Sequence, residues 1–293
     1  MRPGLPPADW PHVAQSRIVS AGGIDWHVQV MGEGPSILLI HGTGASTHSF
    51  RDLAPLLAKT HKVVMADCPG VGFTETPRRR PDLQTMADLH GALLGKLGES
   101  PAFIVGHSAG AVIAIEMVLR GAAKPKGIVS LNGALLPFPG RAGRLFPALA
   151  KLLFLNPVVP RFFALRAHSE RAVTSLLDGT GSRISPAGRA YYARLFREPR
   201  HVEGTLAMMS HWDLENFSRR LSRLDVPLLL IAAGNDLAIQ PKVAEEVHGR
   251  ILNSKLVKLP GLGHLAHEEA PDRVAEAILA FAAEAPETGQ PAA

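Results

Sequence analysis

A single cysteine, Cys68, stands in a chain of 293 residues. That excludes an intramolecular disulfide and any cysteine-built zinc or iron–sulfur centre, and it fits a reducing compartment. No run approaches the ~18 consecutive apolar residues of a membrane-crossing helix. The opening "MRPGLPPADWPHVAQ" has neither the apolar core of a signal peptide nor a myristoylation pattern. Nucleotide motifs are missing too. "GALLGKLG" is too short between its glycines for a P-loop and has no Ser or Thr after Lys96. No G-x-G-x-x-G follows a strand, so neither ATP nor a dinucleotide is expected as a ligand. "HLAHEE" lacks the H-E-x-x-H order and a third ligand, so no metal and no cofactor is expected. These absences describe a cytoplasmic-type protein, with peripheral membrane contact left open.

What is present supports a large folded domain. Hydrophobic residues make up 46% and charged residues 19%, enough for a sizeable core. The net charge of +5 is mildly basic, and no nucleic-acid reading module accompanies it. From about residue 17 to residue 134, strand-like runs ("IDWHVQVMG", "SILLIHG", "HKVVMAD", "AFIVGH", "GIVSLNG") precede or alternate with helix-like ones ("SFRDLAPLLAK", "QTMADLHGALLGKLG", "AGAVIAIEMVLRG"). The pattern resumes with "VPLLLIAAGND", "PKVAEEVHGRI", "SKLVKLPG" and "DRVAEAILAFAAEA". Such alternation predicts an α/β fold, a mostly parallel, doubly wound sheet covered on both faces. The expected organisation is a core over 16–134 and 221–285, a helical cap inserted over 135–220, an N-terminal extension over 1–15 and a loose tail over 286–293.

Gly106-His107-Ser108-Ala109-Gly110 matches G-x-S-x-G between a strand and a helix. In that context the serine is a candidate nucleophile on a strained turn, with small neighbours two positions either side so that strand and helix approach. The alternative is an ordinary tight strand-to-helix turn. A nucleophilic serine needs a base and an orienting acid. His264, in "LPGLGHLAHEEAP", is the candidate base, preferred to His267 as the first histidine after the turn. Asp236, ending "PLLLIAAGND", is the candidate acid, against a simpler role capping the helix near Gln240. All three follow C-terminal ends of strands, the edge where parallel sheets gather catalytic groups. An oxyanion hole is expected from the backbone N–H groups of Ala109 and of Thr43, in "LLIHGTGAS". "DCPGVGFT" reads as a structural turn, with Cys68 a packed residue in it.

Together "HGTG", "DCPGVG", "GHSAG", "GND" and "GLGH" resemble the α/β-hydrolase superfamily, from about Ser16 to Glu284. Because the elbow residue is Ser and not Asp, the chemistry implied is ester hydrolysis, with dehalogenase and epoxide-hydrolase reactions disfavoured. Phrases such as "HGTGASTHSFRDLAPLLA", "NGALLPFPGRAGRLFPALAKLL" and "AYYARLFREPRHVEGTLAMMSHWDL" further resemble a family of accessory proteins that accompany magnesium chelatase in the bacteriochlorophyll biosynthesis of photosynthetic bacteria. That resemblance implies a role near magnesium insertion into protoporphyrin IX, with chelatase subunits as partners and the ATP-driven step left to them. Metal insertion breaks no ester. Either the chain cleaves an ester in or near the pathway, or it is a non-catalytic accessory binding porphyrin, a subunit or the membrane; a general carboxylesterase unrelated to pigment is the third reading.

The insertion bears on that choice. From Gly133 to Ser169 there is no Asp or Glu, whereas Arg141, Arg144, Lys151, Arg161 and Arg166 are basic. Five of the eleven phenylalanines fall there: Phe138, Phe146, Phe154, Phe162 and Phe163. An apolar, basic cap suits a tetrapyrrole with carboxylates, or the photosynthetic membrane surface. It suits equally a cap packing its phenylalanines inward. Phe138, Phe146, Met208, Met209 and Trp212 are candidate pocket residues, the last three also fitting core packing.

Overall fold

The aliphatic and β-branched runs become the strands of one sheet in the structure, a computed structural model that describes residues 3–78, 82–137, 158–167 and 169–284. The strands are β1 (Ser16–Ala21), β2 (Ile24–Met31), β3 (Ser36–Ile40), β4 (Lys62–Ala66), β5 (Phe103–His107), β6 (Gly127–Leu131), β7 (Leu228–Ala233) and β8 (Ser254–Leu259). They lie in the order β1-β2-β4-β3-β5-β6-β7-β8. β1 and β2 join antiparallel and every other pairing from β4 to β8 is parallel. β3, β5, β6 and β7 are buried along their whole length, which is why each reads as an unbroken apolar run rather than an alternating one.

Helices cover both faces. On one side α2 (Leu83–Leu97), α3 (Ala109–Leu119) and α9 (Lys242–Arg250) pack Met86, Ile113 and Val247 into the larger core cluster. On the other, α1 (Ala54–Leu57) and α11 (Pro271–Glu284) bring Leu57, Ile278 and Phe281. Asp82 caps α2 by accepting the Thr85 N–H at 2.7 Å, and Gly98, at φ 68°, ends it.

Between β6 and β7 the chain leaves the sheet for α4 (Val158–Arg166), α5 (Glu170–Asp178), α6 (Pro186–Phe196), α7 (Pro199–His211) and α8 (Leu214–Arg220). A short α10 (Ala266–Glu269) precedes α11. The insertion is fastened at its far end by a forked pair, Arg220 Nη1 and Nη2 meeting the two carboxylate oxygens of the buried Glu116 on α3 at 3.2 and 2.7 Å. The N-terminal segment packs back onto this assembly, with Trp10 buried against Phe73, His48 and Tyr191.

Two elements differ from expectation. β1 is an edge strand with only Ala21 buried, so no apolar run marks it. "SFRDLAPLLAK" forms a 3-10 turn over Thr47–Phe50 and then only Ala54–Leu57 as α-helix. Pro55 at the start of that helix supplies no N–H to extend the earlier turn into it. No described helix is long and apolar enough to cross a membrane.

The interior is rich in imidazole. Burial lowers the pKa of His41, His48, His90, His107, His201 and His267 below 6.5, to about 4 for His90 and about 3 for His201 and His267. The unfolded chain binds protons near 6.5 that the folded chain refuses, so these groups stabilise the fold above that pH and withdraw stability as pH falls below it. Glu268, pushed up by burial to about 7, acts in the opposite sense between 4.5 and 7, but it is one group against six. Urea midpoints measured between about pH 7.5 and 5 are therefore expected to fall steadily, with more than one proton taken up on unfolding; a flat profile would contradict the neutral-histidine interior.

Candidate active site

Ser108 sits where β5 turns into α3, with φ 51° and ψ −115°. A non-glycine residue pays roughly 1–3 kcal/mol for such a backbone. The turn is tight because its neighbours have no side chain. A Cβ on Gly110 would lie 2.1 Å from the Ile40 carbonyl oxygen, and one on Gly106 would lie 2.4 Å from the Ala111 backbone. α3 thus approaches β3 and β5 within backbone contact and lifts Ser108 to the carboxyl end of the sheet.

His264 and Asp236 meet there. His264 Nδ1 donates to Asp236 Oδ2 at 2.7 Å, and both side chains are buried. With its proton on Nδ1, the ring keeps a lone pair on Nε2. The other oxygen of Asp236 accepts the Ala238 and Ile239 N–H groups at 2.8 and 2.7 Å, so the acid both caps its own loop and orients the histidine. No direct hydrogen bond joins Ser108 Oγ to His264 Nε2, although both line one cavity. His267 packs its ring, tilted, against Phe50 and His107.

Several residues that sequence reasoning missed hold this geometry. The His264 carbonyl accepts two side-chain donors, His107 Nε2 at 2.9 Å and Asn132 Nδ2 at 2.8 Å. Asn132 Oδ1 accepts the Ala233 N–H at 2.8 Å, fixing the end of β7 as well. The turn after α5 grips the Asp236 and His264 loops together: the Thr180 carbonyl accepts the Leu237 and His264 N–H groups, and Ser182 Oγ accepts that of Leu265. A Cβ on Gly181 would meet the Asn235 carbonyl at 2.0 Å. Nothing in a Thr-Gly-Ser turn announces such partners, because they lie far along the chain.

The Thr43 loop is held from both sides. Asp67 is buried and accepts from Thr47 N, Phe73 N and His27 Nδ1 at 2.8, 2.8 and 3.0 Å. Burial alone would raise its pKa, but these donors, His27 foremost, hold the carboxyl well below the usual range. "DCPGVGFT" wraps that carboxylate, and a Cβ on Gly72 would lie 2.2 Å from Asp67 Oδ2. Cys68 is fully buried and its thiol pKa is raised by that burial, the setting of an inert packed residue. From the cap, His201 accepts the Gly72 N–H at 3.1 Å and donates to the Gly44 carbonyl at 3.2 Å. Among the described residues, neither the Thr43 nor the Ala109 N–H meets an acceptor within the protein.

Above Ser108 lies a cavity of about 800 Å³. Ser108, His264 and Thr43 line it on the core side; Val173, Leu177, Phe196 and Leu206 line it from the cap. Two expected pocket residues belong elsewhere. Met208 is in the larger core cluster and Trp212 packs on that cluster; neither is among the described residues lining the cavity. Phe138, Phe146, Phe154, Arg141, Arg144, Lys151 and the side chains of Phe163 and Met209 lie outside the described residues. No group of three His, Cys, Asp or Glu side chains among the described residues is arranged to hold a metal ion.

The sequence profile of the alpha/beta hydrolase fold matches residues 35–271. The chain is 39% identical over 286 residues to the magnesium-chelatase 30 kDa subunit of Rhodobacter capsulatus, covering 95% of this chain and 98% of that one. It is 31% identical over 249 residues to a pimeloyl-[acyl-carrier protein] methyl ester esterase of Neisseria meningitidis, covering 80% and 88%. In structure it is similar to an alpha/beta hydrolase fold protein from Burkholderia ambifaria, with a TM-score of 0.77, 21% identity and coverage of 91% and 97%.

The strain at Ser108 is measurable without any substrate. Ser108→Gly and Ser108→Ala both remove the hydroxyl, but only glycine relaxes the backbone. The glycine variant is expected to be more stable than the alanine variant by about 1–2 kcal/mol in urea unfolding. Equal stabilities would mean that the turn is unstrained.

Proposed function

The chain belongs to the alpha/beta hydrolase fold family, and we propose that it is a serine ester hydrolase acting as an accessory of magnesium chelatase in bacteriochlorophyll biosynthesis. The observation that carries the hydrolytic part is the convergence of the strained Ser108 and the Asp236-oriented His264 on one cavity. Ser108 Oγ attacks the ester carbonyl as His264 Nε2 takes its proton, and Asp236 stabilises the imidazolium that results. The Thr43 and Ala109 N–H groups receive the oxyanion of the tetrahedral intermediate. His264 then protonates the departing alcohol, and a water activated by the same nitrogen releases the acid and restores Ser108. The absence of a Ser108–His264 hydrogen bond is compatible with this reading, since catalytic hydrogen bonds in unliganded sites often close only on binding.

The likeness to the Rhodobacter capsulatus subunit supports the pathway assignment, because it runs through the insertion as well as the core. Chelatase subunits are then the partners and a tetrapyrrole ester the substrate. A peripheral contact with the photosynthetic membrane belongs to the same proposal, supported by the exposed Phe162 and Leu165 beside Arg161 on α4. The second reading, a non-catalytic accessory that binds porphyrin, a subunit or the membrane, is favoured by the missing Ser108–His264 hydrogen bond.

A fluorophosphonate probe separates the two. Wild-type protein is expected to label on Ser108, with labelling abolished by Ser108→Ala and slowed by at least about a thousandfold by His264→Ala. Folded wild-type protein that does not label would overturn the hydrolase reading.

A further inference from the structure

We propose that Arg166 and Arg171 form a carboxylate-binding site at the mouth of the cavity, so that the ligand is a large apolar acid presenting a free carboxylate there. The orientation of this ligand, with its ester towards Ser108, rests on the hydrolase reading; the binding of its carboxylate does not.

The cavity has two chemically different ends. Ser108 and His264 are buried and form its floor, whereas Arg166 and Arg171 are exposed and form its rim. Between them the walls are aliphatic and aromatic, with Val173, Leu177, Phe196, Val202 and Leu206 among them. At about 800 Å³ the space suits a large small-molecule ligand.

The charge at the rim is uncompensated. Arg166 closes α4 and Arg171 lies in the first turn of α5. Neither has a carboxylate within ion-pair reach among the described residues, not even Glu170 between them. The acids nearby are engaged: Asp178 with Arg189 at 3.0 Å, Asp236 with His264, and Glu268 with Arg51 and the Tyr192 hydroxyl. No Asp or Glu is among the described residues lining the cavity. The part of the insertion outside the described residues adds none, because no acid occurs from Gly133 to Ser169.

Two arginines lining an apolar cavity favour an anion that brings its own apolar body. Each offers a planar pair of donors matched to a carboxylate. A wholly esterified or neutral ligand leaves both unused, and a cationic one is repelled. The predicted ligand keeps at least one carboxylate free while another is esterified.

The test uses the full chain carrying Ser108→Ala, which binds without turnover, and the same chain with Arg166→Gln and Arg171→Gln added. Both substitutions are exposed, so folding should be little affected. Protoporphyrin IX and its dimethyl ester are titrated by absorbance, and tetradecanedioic acid monomethyl ester and its dimethyl ester by calorimetry. The site predicts that an acid binds at least about tenfold more tightly than its diester, as one charge-assisted contact allows. The double substitution should erase that ratio, and added salt should weaken the acid alone. A preference shown by the porphyrin pair alone would identify a tetrapyrrole acid; one shown by both pairs would assign the site to apolar acids in general. Equal affinities within both pairs, no measurable binding of either acid, or a preference that survives the double substitution would overturn the proposal. Fluorophosphonate labelling of the wild type separates the two readings: labelling without acid preference removes only this site, and acid preference without labelling removes only the hydrolase.

Discussion

Everything at the carboxyl edge of the sheet depends on one steric constraint, the backbone contact between the start of α3 and the end of β3. With 2.1 Å from a Gly110 Cβ to the Ile40 carbonyl oxygen, no side chain fits between helix and strand. The helix therefore starts at once after β5, and Ser108 must take the positive φ that joins them. The cost falls on one residue and is met by the apolar contacts of α3, whose Ala111, Val112, Ile113, Ala114 and Ile115 are all fully buried. Gly42 lies against the same turn, where a Cβ would stand 2.9 Å from the Ser108 Cβ. The constraint thus brings the Thr43 loop beside the serine as well.

Around that fixed point the loops are held by buried polar contacts rather than by helix or strand. Asp67 satisfies three donors, the His264 carbonyl accepts two, and the Thr180 carbonyl accepts two more. Buried groups satisfied in this way favour one arrangement over its neighbours, because any other leaves a donor or acceptor stranded in the interior. Two of the fastenings come from the insertion: His201 on the Gly44 and Gly72 turns, and the Thr180–Ser182 turn on the Asp236 and His264 loops. The insertion is therefore structurally part of the site, and a ligand seated between cap and core touches elements that position His264.

The central strands and the serine turn were legible because short-range chemistry dictates them. A strand buried on both faces must be apolar throughout, and a strained strand-to-helix turn must have glycine on both sides. Asp236 and His264 were legible from their position after strands, and the structure joins their side chains. What stayed hidden depends on distant partners. Only Ala21 of β1 is buried, so no hydrophobic pattern marks it. Met208 and Trp212 read equally as core or pocket because an apolar side chain suits either, and only packing decides that they join the core cluster. His107, Asn132, His201 and Thr180 are ordinary polar residues until the fold brings their hydrogen-bond partners within 3.3 Å.

The hydrolase reading requires Ser108, His264 and the two free N–H groups to act on one reacting centre. Its most direct test is the crystal structure of the protein after reaction with a fluorophosphonate. Expected are phosphorus bonded to Ser108 Oγ, a phosphoryl oxygen about 2.7–3.1 Å from the Thr43 and Ala109 nitrogens, and His264 Nε2 drawn within hydrogen-bond reach of Ser108 Oγ. An adduct on another residue, or a phosphoryl oxygen turned away from both N–H groups, would contradict it.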